Sequence, residues 1–105
     1  MDTVVVTRHA ALVEFLIESG HVPADVKVIA HASEADVRGK DVWGVLPLRL
    51  AQLACCVTEI PLNIPQFLRG RELNLAQVRE YAGEPECFIV RSAWDVPIEE
   101  QIYQL

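Results

Sequence analysis

Glycine-rich phosphate loops are missing from this 105-residue chain. It has five glycines and neither a GxGxxG nor a Walker-type run, so the backbone cradles of dinucleotide and nucleoside triphosphate sites are not to be expected. Cysteine is scarce as well. Cys55, Cys56 and Cys87 are odd in number and two are adjacent, which argues against a disulfide framework and against a CxxC metal site. They read as small, buried apolar residues. No apolar run approaches the ~20 residues that cross a bilayer, and the first residues show no charged and apolar regions of a signal peptide. A soluble, cytoplasmic protein without a membrane partner is expected. Cations are few, nine Lys and Arg against fifteen Asp and Glu for a net charge of −6. Broad phosphate neutralisation is therefore absent, which excludes a general duplex nucleic-acid binder.

Apolar residues are plentiful, at 51% of the chain. Residues 1–105 are enough for one domain with a real core and too few for two. Short β-rich runs alternate with helical periodicity, which predicts strand–helix units and an α/β, mostly parallel sheet of about five strands flanked by helices. The expected strands are 3–6, 26–30, 42–46, 57–62 and 87–91. The expected helices are 10–19, 48–56 and 75–82, with a short helical turn in the polar surface segment 31–41. In the first helix Leu12, Val13, Phe15, Leu16 and Ile17 form a wide buried face, and Gly20 is suited to stop it. Pro47 fits the first turn of the second helix, and Asn74 can cap the third. Pro61 implies an edge position or an early end for the fourth strand. The tail, 92–105, carries Trp94, Pro97, Ile98, Ile102 and Tyr103 and has no assigned role.

Parallel strands bring the residues that follow them to one end of the sheet, where ligands of α/β proteins bind. Thr7, Arg8 and His9 follow the first strand and lead into a helix N-terminus, a place that suits an anion. The same residues also serve as a solvated charge and a helix cap. His31 and Ser33 follow the second strand, Pro47 and Arg49 the third, which ends at Leu46, and Asn63 the fourth. Arg69 and Arg71 belong to the next loop and either fold over the crevice or stay solvated. Arg49 reads equally as an exposed helix residue, and His31 as a loop histidine. Metal-dependent hydrolysis calls for paired carboxylates or a His/Asp cluster, and these strand ends supply cations instead. A cysteine nucleophile with His9 as base fits poorly, because apolar settings protect thiols without activating them.

The ordered set Val4-Val5-Val6-Thr7-Arg8-His9, Gly44-Val45-Leu46-Pro47 and Arg69-Gly70-Arg71-Glu72-Leu73 resembles the small Csx proteins of type III CRISPR loci, specifically the sixteenth-numbered Csx family. The likeness spans roughly residues 3–91. It implies a Rossmann-like, CARF-like fold, a homodimer, and ring-nuclease activity against cyclic tetra-adenylate, the second messenger of type III antiviral defence. It implies neither cofactor nor metal. By position in the motifs or at the strand ends, Arg8, His9 and Arg71 are candidates for catalysis, and Thr7, Leu46, Pro47, Arg49, Asn63, Arg69 and Glu72 for ligand binding.

That chemistry suits the residues present. A ribose 2′-OH can attack the adjacent phosphorus in line with the departing 5′-oxygen, leaving a 2′,3′-cyclic phosphate. The protein then has to hold the attack geometry, worth ~7–11 kcal/mol in well-oriented systems, and to stabilise charge on the phosphorane. Arg8 offers a permanently protonated planar fork, and His9 a group that can donate to phosphate or transfer a proton. Two other readings use the same sequence. One is a module that sequesters the cyclic nucleotide without cutting it, and the other a protein-interaction subunit acting through the acidic, aromatic tail.

Overall fold

Residues 2–95 are described by the computed structural model; the rest of the tail, and with it any role for residues 96–105, lies outside them. β-branched residues are frequent in the four parallel strands, β1 (Thr3–Val6), β2 (Lys27–Ile29), β3 (Asp41–Gly44) and β4 (Cys56–Glu59). Such side chains fit a pleated surface covered on both faces. These four pair in parallel, and β5 (Glu86–Phe88) runs antiparallel along β4, giving the order β2-β1-β3-β4-β5. Helices α1 (Ala10–Glu18), α2 (Glu34–Val37), α3 (Leu48–Ala51) and α4 (Leu75–Tyr81) fill the connections.

The two faces have separate cores, as strand alternation requires. Val4, Val6, Val42 and Val57 pack with Val37 of α2 and with Ala51 and Ala54 at α3. Val5 points the other way, onto Leu16 of α1 and Val22. On that second face α1 also packs against α4, and Glu18 grips Arg79 through Oε2 to Nη2 at 2.6 Å. The side chain of Asn74 caps α4 by accepting from the Gln77 N–H at 2.9 Å, with Gln77 returning the bond to the Asn74 N–H. This capping box satisfies two donors that a helix N-terminus leaves over.

Several expectations are corrected here. Only Leu16 of the first helix is fully buried; Leu12, Val13, Phe15 and Ile17 are partly covered. The surface segment 31–41 carries Val37, which has no exposed area. The second helix is a single turn. Pro47 stands just before it as its N-cap, and the chain leaves it in time to start β4 at Cys56. β4 is an interior strand, so Pro61 marks its early end at Glu59, not an edge. The cysteines are not core residues: Cys55 lies exposed in the turn before β4, Cys56 is half-buried, and Cys87 is exposed on the edge strand β5. Among the described residues no helix is long and apolar enough to cross a membrane.

Candidate functional site

The crevice is a consequence of strand order. From β1 the chain crosses to β2 on one side, then returns past β1 to place β3 on the other. Connections diverge at such a switch point and leave a gap at the carboxyl ends of the strands. Gly44 ends β3 there with φ of 138°, and a Cβ on it would run into the Val6 carbonyl oxygen. Glycine is the residue that lets β3 close against the end of β1 at this point.

Thr7 fixes the turn that follows β1. Its N–H donates to the Ile29 carbonyl at 3.0 Å, and its Oγ1 accepts from the His9 N–H at 3.1 Å. His9 becomes the N-cap of α1 with extended backbone and no capping bond from its side chain. The imidazole is thereby left to the crevice. The α1 first turn contains no acidic residue, so the partial positive charge of its leading N–H groups is not offset within the helix.

A second wall arrives from the segment after β4. Leu68 is buried and anchors that loop, and Gly70 turns the chain with φ of 79°. The Arg71 N–H then donates to the Leu68 carbonyl at 3.2 Å. These turns bring Arg71 and Glu72 to the same cavity as Arg8 and His9, a space of about 590 Å³ with an apolar floor of Leu12, Leu62, Ile64, Leu73 and Val78. A second cavity of about 400 Å³ shares Arg8, His9, Leu12 and Leu62 and continues past Thr7 to Ala30, Trp43, Gly44 and Thr58. The ends of all four parallel strands therefore contribute to one continuous crevice. Among the described residues Arg38, Arg49 and Arg79 each face a glutamate, whereas Arg8 and Arg71 take part in no ion pair.

Not every candidate converges. Arg49 lies on the α2–α3 side with its guanidinium 4.0 Å from Glu34. Leu46 packs against the core beneath α3 and lines a shallow apolar cavity toward β5. Pro47 caps α3, and the Asn63 N–H is used by the Tyr81 carbonyl at 3.0 Å. Arg69, on the other side of Gly70 from Arg71, is exposed and lines neither crevice cavity. His31 is likewise exposed and outside both, and Ser33 is occupied in capping α2 through Asp36. Among the described residues no group of three His, Cys, Asp or Glu side chains is placed to hold a metal ion.

Sequence reasoning missed the floor. Leu12, Leu62, Ile64 and Val78 carry only the signature of core residues, and a packed α1–α4 pair is needed to see that they also border a cavity. Trp43 was missed too. It lines the second cavity, stacks on His21 with centroids 5.2 Å apart, and holds the one buried side-chain polar atom without a partner among the described residues, its indole Nε1.

Over residues 4–91 the sequence matches the model of a protein family described as "Putative CRISPR-associated protein (Cas_VVA1548)". No curated protein and no solved structure matches the chain.

Proposed function

The chain belongs to this CRISPR-associated family, and from that premise we propose that it is a ring nuclease, which binds cyclic tetra-adenylate and cuts it to linear di-adenylate ending in a 2′,3′-cyclic phosphate. The observation that carries the reading is the meeting of Arg8 and His9 with Arg71 and Glu72, more than sixty positions away, around one apolar-floored cavity. A nucleotide needs both halves of that arrangement. Its phosphodiester suits a helix N-terminus and two arginines that carry no ion pair among the described residues, and its base suits an apolar floor with a few polar groups at the rim.

In this mechanism Arg8 and Arg71 hold the scissile phosphate and stabilise the extra charge of the phosphorane. The imidazole of His9 transfers a proton, either from the attacking 2′-OH or to the departing 5′-oxygen. Glu72 offers the carboxylate at the rim, suited to accept from a base amino group or a ribose hydroxyl. The fold in this reading is the Rossmann-like, CARF-like one that the Csx resemblance implies. The active species is a homodimer that sets two copies of the crevice about the two-fold axis of the ring.

The test is incubation of the pure protein with cyclic tri-, tetra- and hexa-adenylate in EDTA, with products identified by mass. The expected outcome is conversion of the tetra-adenylate to di-adenylate with a cyclic phosphate, unaffected by the chelator. Tight binding with all three rings intact would make the protein a sequestering module instead. Complete dependence on added metal would overturn the mechanism.

A further inference from the structure

Three side chains at the end of the sheet opposite the crevice, with one cysteine of the edge strand, form a separate chemical group. Thr3, Asp41 and Cys56 sit side by side at the starts of β1, β3 and β4, as the register Thr3↔Asp41 and Asp41↔Cys56 requires. Cys87 stands opposite Thr58 on β5. Cys56 precedes Thr58 by two residues, so the two thiols share one face as diagonal neighbours across the antiparallel pair.

The two cysteines differ in setting. Cys87 is exposed on a three-residue edge strand, and Cys56 is half-buried. The Cys56 thiol donates to Asp41 Oδ1 at 3.3 Å, and the other carboxylate oxygen, Oδ2, accepts from Thr3 Oγ1 at 3.4 Å. Burial, then the Asp41 carboxylate, push the Cys56 thiol up to about 12. Cys56 therefore stays protonated at neutral pH with its proton already directed at a carboxylate, while Cys87 meets solvent.

We propose that Cys56 and Cys87 are a peroxide-oxidisable dithiol, in which Cys87 reacts first and Cys56 resolves it into a reversible cross-strand disulfide. In the first step the Cys87 thiolate attacks one oxygen of a hydroperoxide. The O–O bond breaks, the sulfur is oxidised to sulfenic acid, and the peroxide is reduced to water or an alcohol. In the second step the Cys56 sulfur attacks the Cys87 sulfur. The S–S bond forms and the S–O bond breaks; Asp41 takes the Cys56 proton and later releases it to solvent, and the departing hydroxide takes a proton from solvent and leaves as water. Two thiols and one peroxide thus give one disulfide, one water, and a second water or an alcohol.

Diagonal partners lie about 7–8 Å apart at Cα, beyond the usual reach of a disulfide. Closure therefore requires β5 to shift along its single neighbour β4, which an edge strand permits. A bond formed under that constraint is readily reduced by thiols, the property of a regulatory disulfide and not of a structural staple. Its formation moves Cys87 out of its register opposite Thr58, a residue of the second cavity.

The experiment is brief treatment of the full chain with hydrogen peroxide, then digestion without reductant and peptide mass analysis. The expected result is one linked peptide pair joining Cys56 to Cys87, two hydrogens lighter than the separate peptides and released by dithiothreitol. Cys87→Ser, a surface change, should abolish the link. In Cys56→Ala and in Asp41→Asn the Cys87 sulfenic acid should persist long enough for dimedone to trap it, with thermal melting confirming that each variant is folded. A link through Cys55, a link between chains, or wild-type Cys87 that accumulates as sulfenic or sulfinic acid with Cys56 still reduced would overturn the proposal.

Discussion

Arg8 and His9 are neighbours in sequence and line the same cavity, yet in the proposed reaction they offer the phosphate different things. Arg8 supplies fixed charge in the ground state as well as in the transition state. Arg8→Ala should weaken binding of cyclic tetra-adenylate and lower single-turnover cleavage, the latter by about 10²–10³-fold if it acts like other donors to a developing oxyanion. His9→Ala should leave binding nearly intact and cost cleavage about 10²–10⁴-fold, the usual range for a proton-transferring group. A binding titration paired with single-turnover rates for each variant separates the two roles. Thermal melting should stay close to wild type, since both side chains are exposed and outside the core. If both substitutions leave cleavage within about twofold, the barrier has changed by well under 1 kcal/mol and the turn after β1 is not the active site. At this scale the sequence was informative where a residue's backbone position decided its fate. Thr7, Arg8 and His9 had to follow β1. Arg69 and Arg71 were indistinguishable by sequence, and the positive φ of Gly70 separates them, sending only Arg71 to the cavity.

The cavity also depends on how two helices are held. Its floor draws Leu12 from α1 and Val78 from α4, and the Glu18–Arg79 pair ties those helices together across the same face. Hydrogen bonding from Arg79 holds the Glu18 carboxyl below its ordinary 4.5. A carboxylate whose value is depressed by folding stabilises the native state above its unfolded value and loses that contribution as pH falls through the folded one. Asp36, lowered by the Ser33 backbone N–H and then its hydroxyl, and Asp2, lowered by Lys40, act in the same direction. The melting temperature should therefore decline below about pH 4.5. Glu18→Gln should lower it at neutral pH and make the decline shallower, a difference read from melts between pH 3 and 7. Superimposable wild-type and variant curves would mean the pair is ornamental, as many exposed ion pairs are. Elements were legible where periodicity was strong, as in β1, α1 and α4. The direction of β5 was not, because a run such as Cys87-Phe88-Ile89 carries no local signal of antiparallel pairing. Nor was the one-turn length of α3, which is set by where β4 must begin.

At the scale of the whole molecule, the charge of −6 conceals the crevice. A ring of four phosphates is strongly anionic and is repelled by most of this surface, so in the proposed reading its recognition rests on the few cations that the fold gathers at the strand ends. One copy gathers Arg8, His9 and Arg71 around a single cavity, which suits half of a tetranucleotide ring better than all of it. A ring with two-fold symmetry is matched by two identical crevices related by the same axis. On this reading light scattering should give a particle of twice 11.7 kDa, and calorimetry with the His9→Ala variant, which should cleave slowly and still bind, should give one ring for every two chains. A substrate gripped from both sides also predicts that mixing wild-type chains with an excess of that variant lowers activity faster than dilution does, because mixed dimers hold only one complete crevice. A particle that stays at 11.7 kDa with saturating ligand, or a stoichiometry of one ring per chain, would confine recognition to a single crevice and remove the symmetry argument.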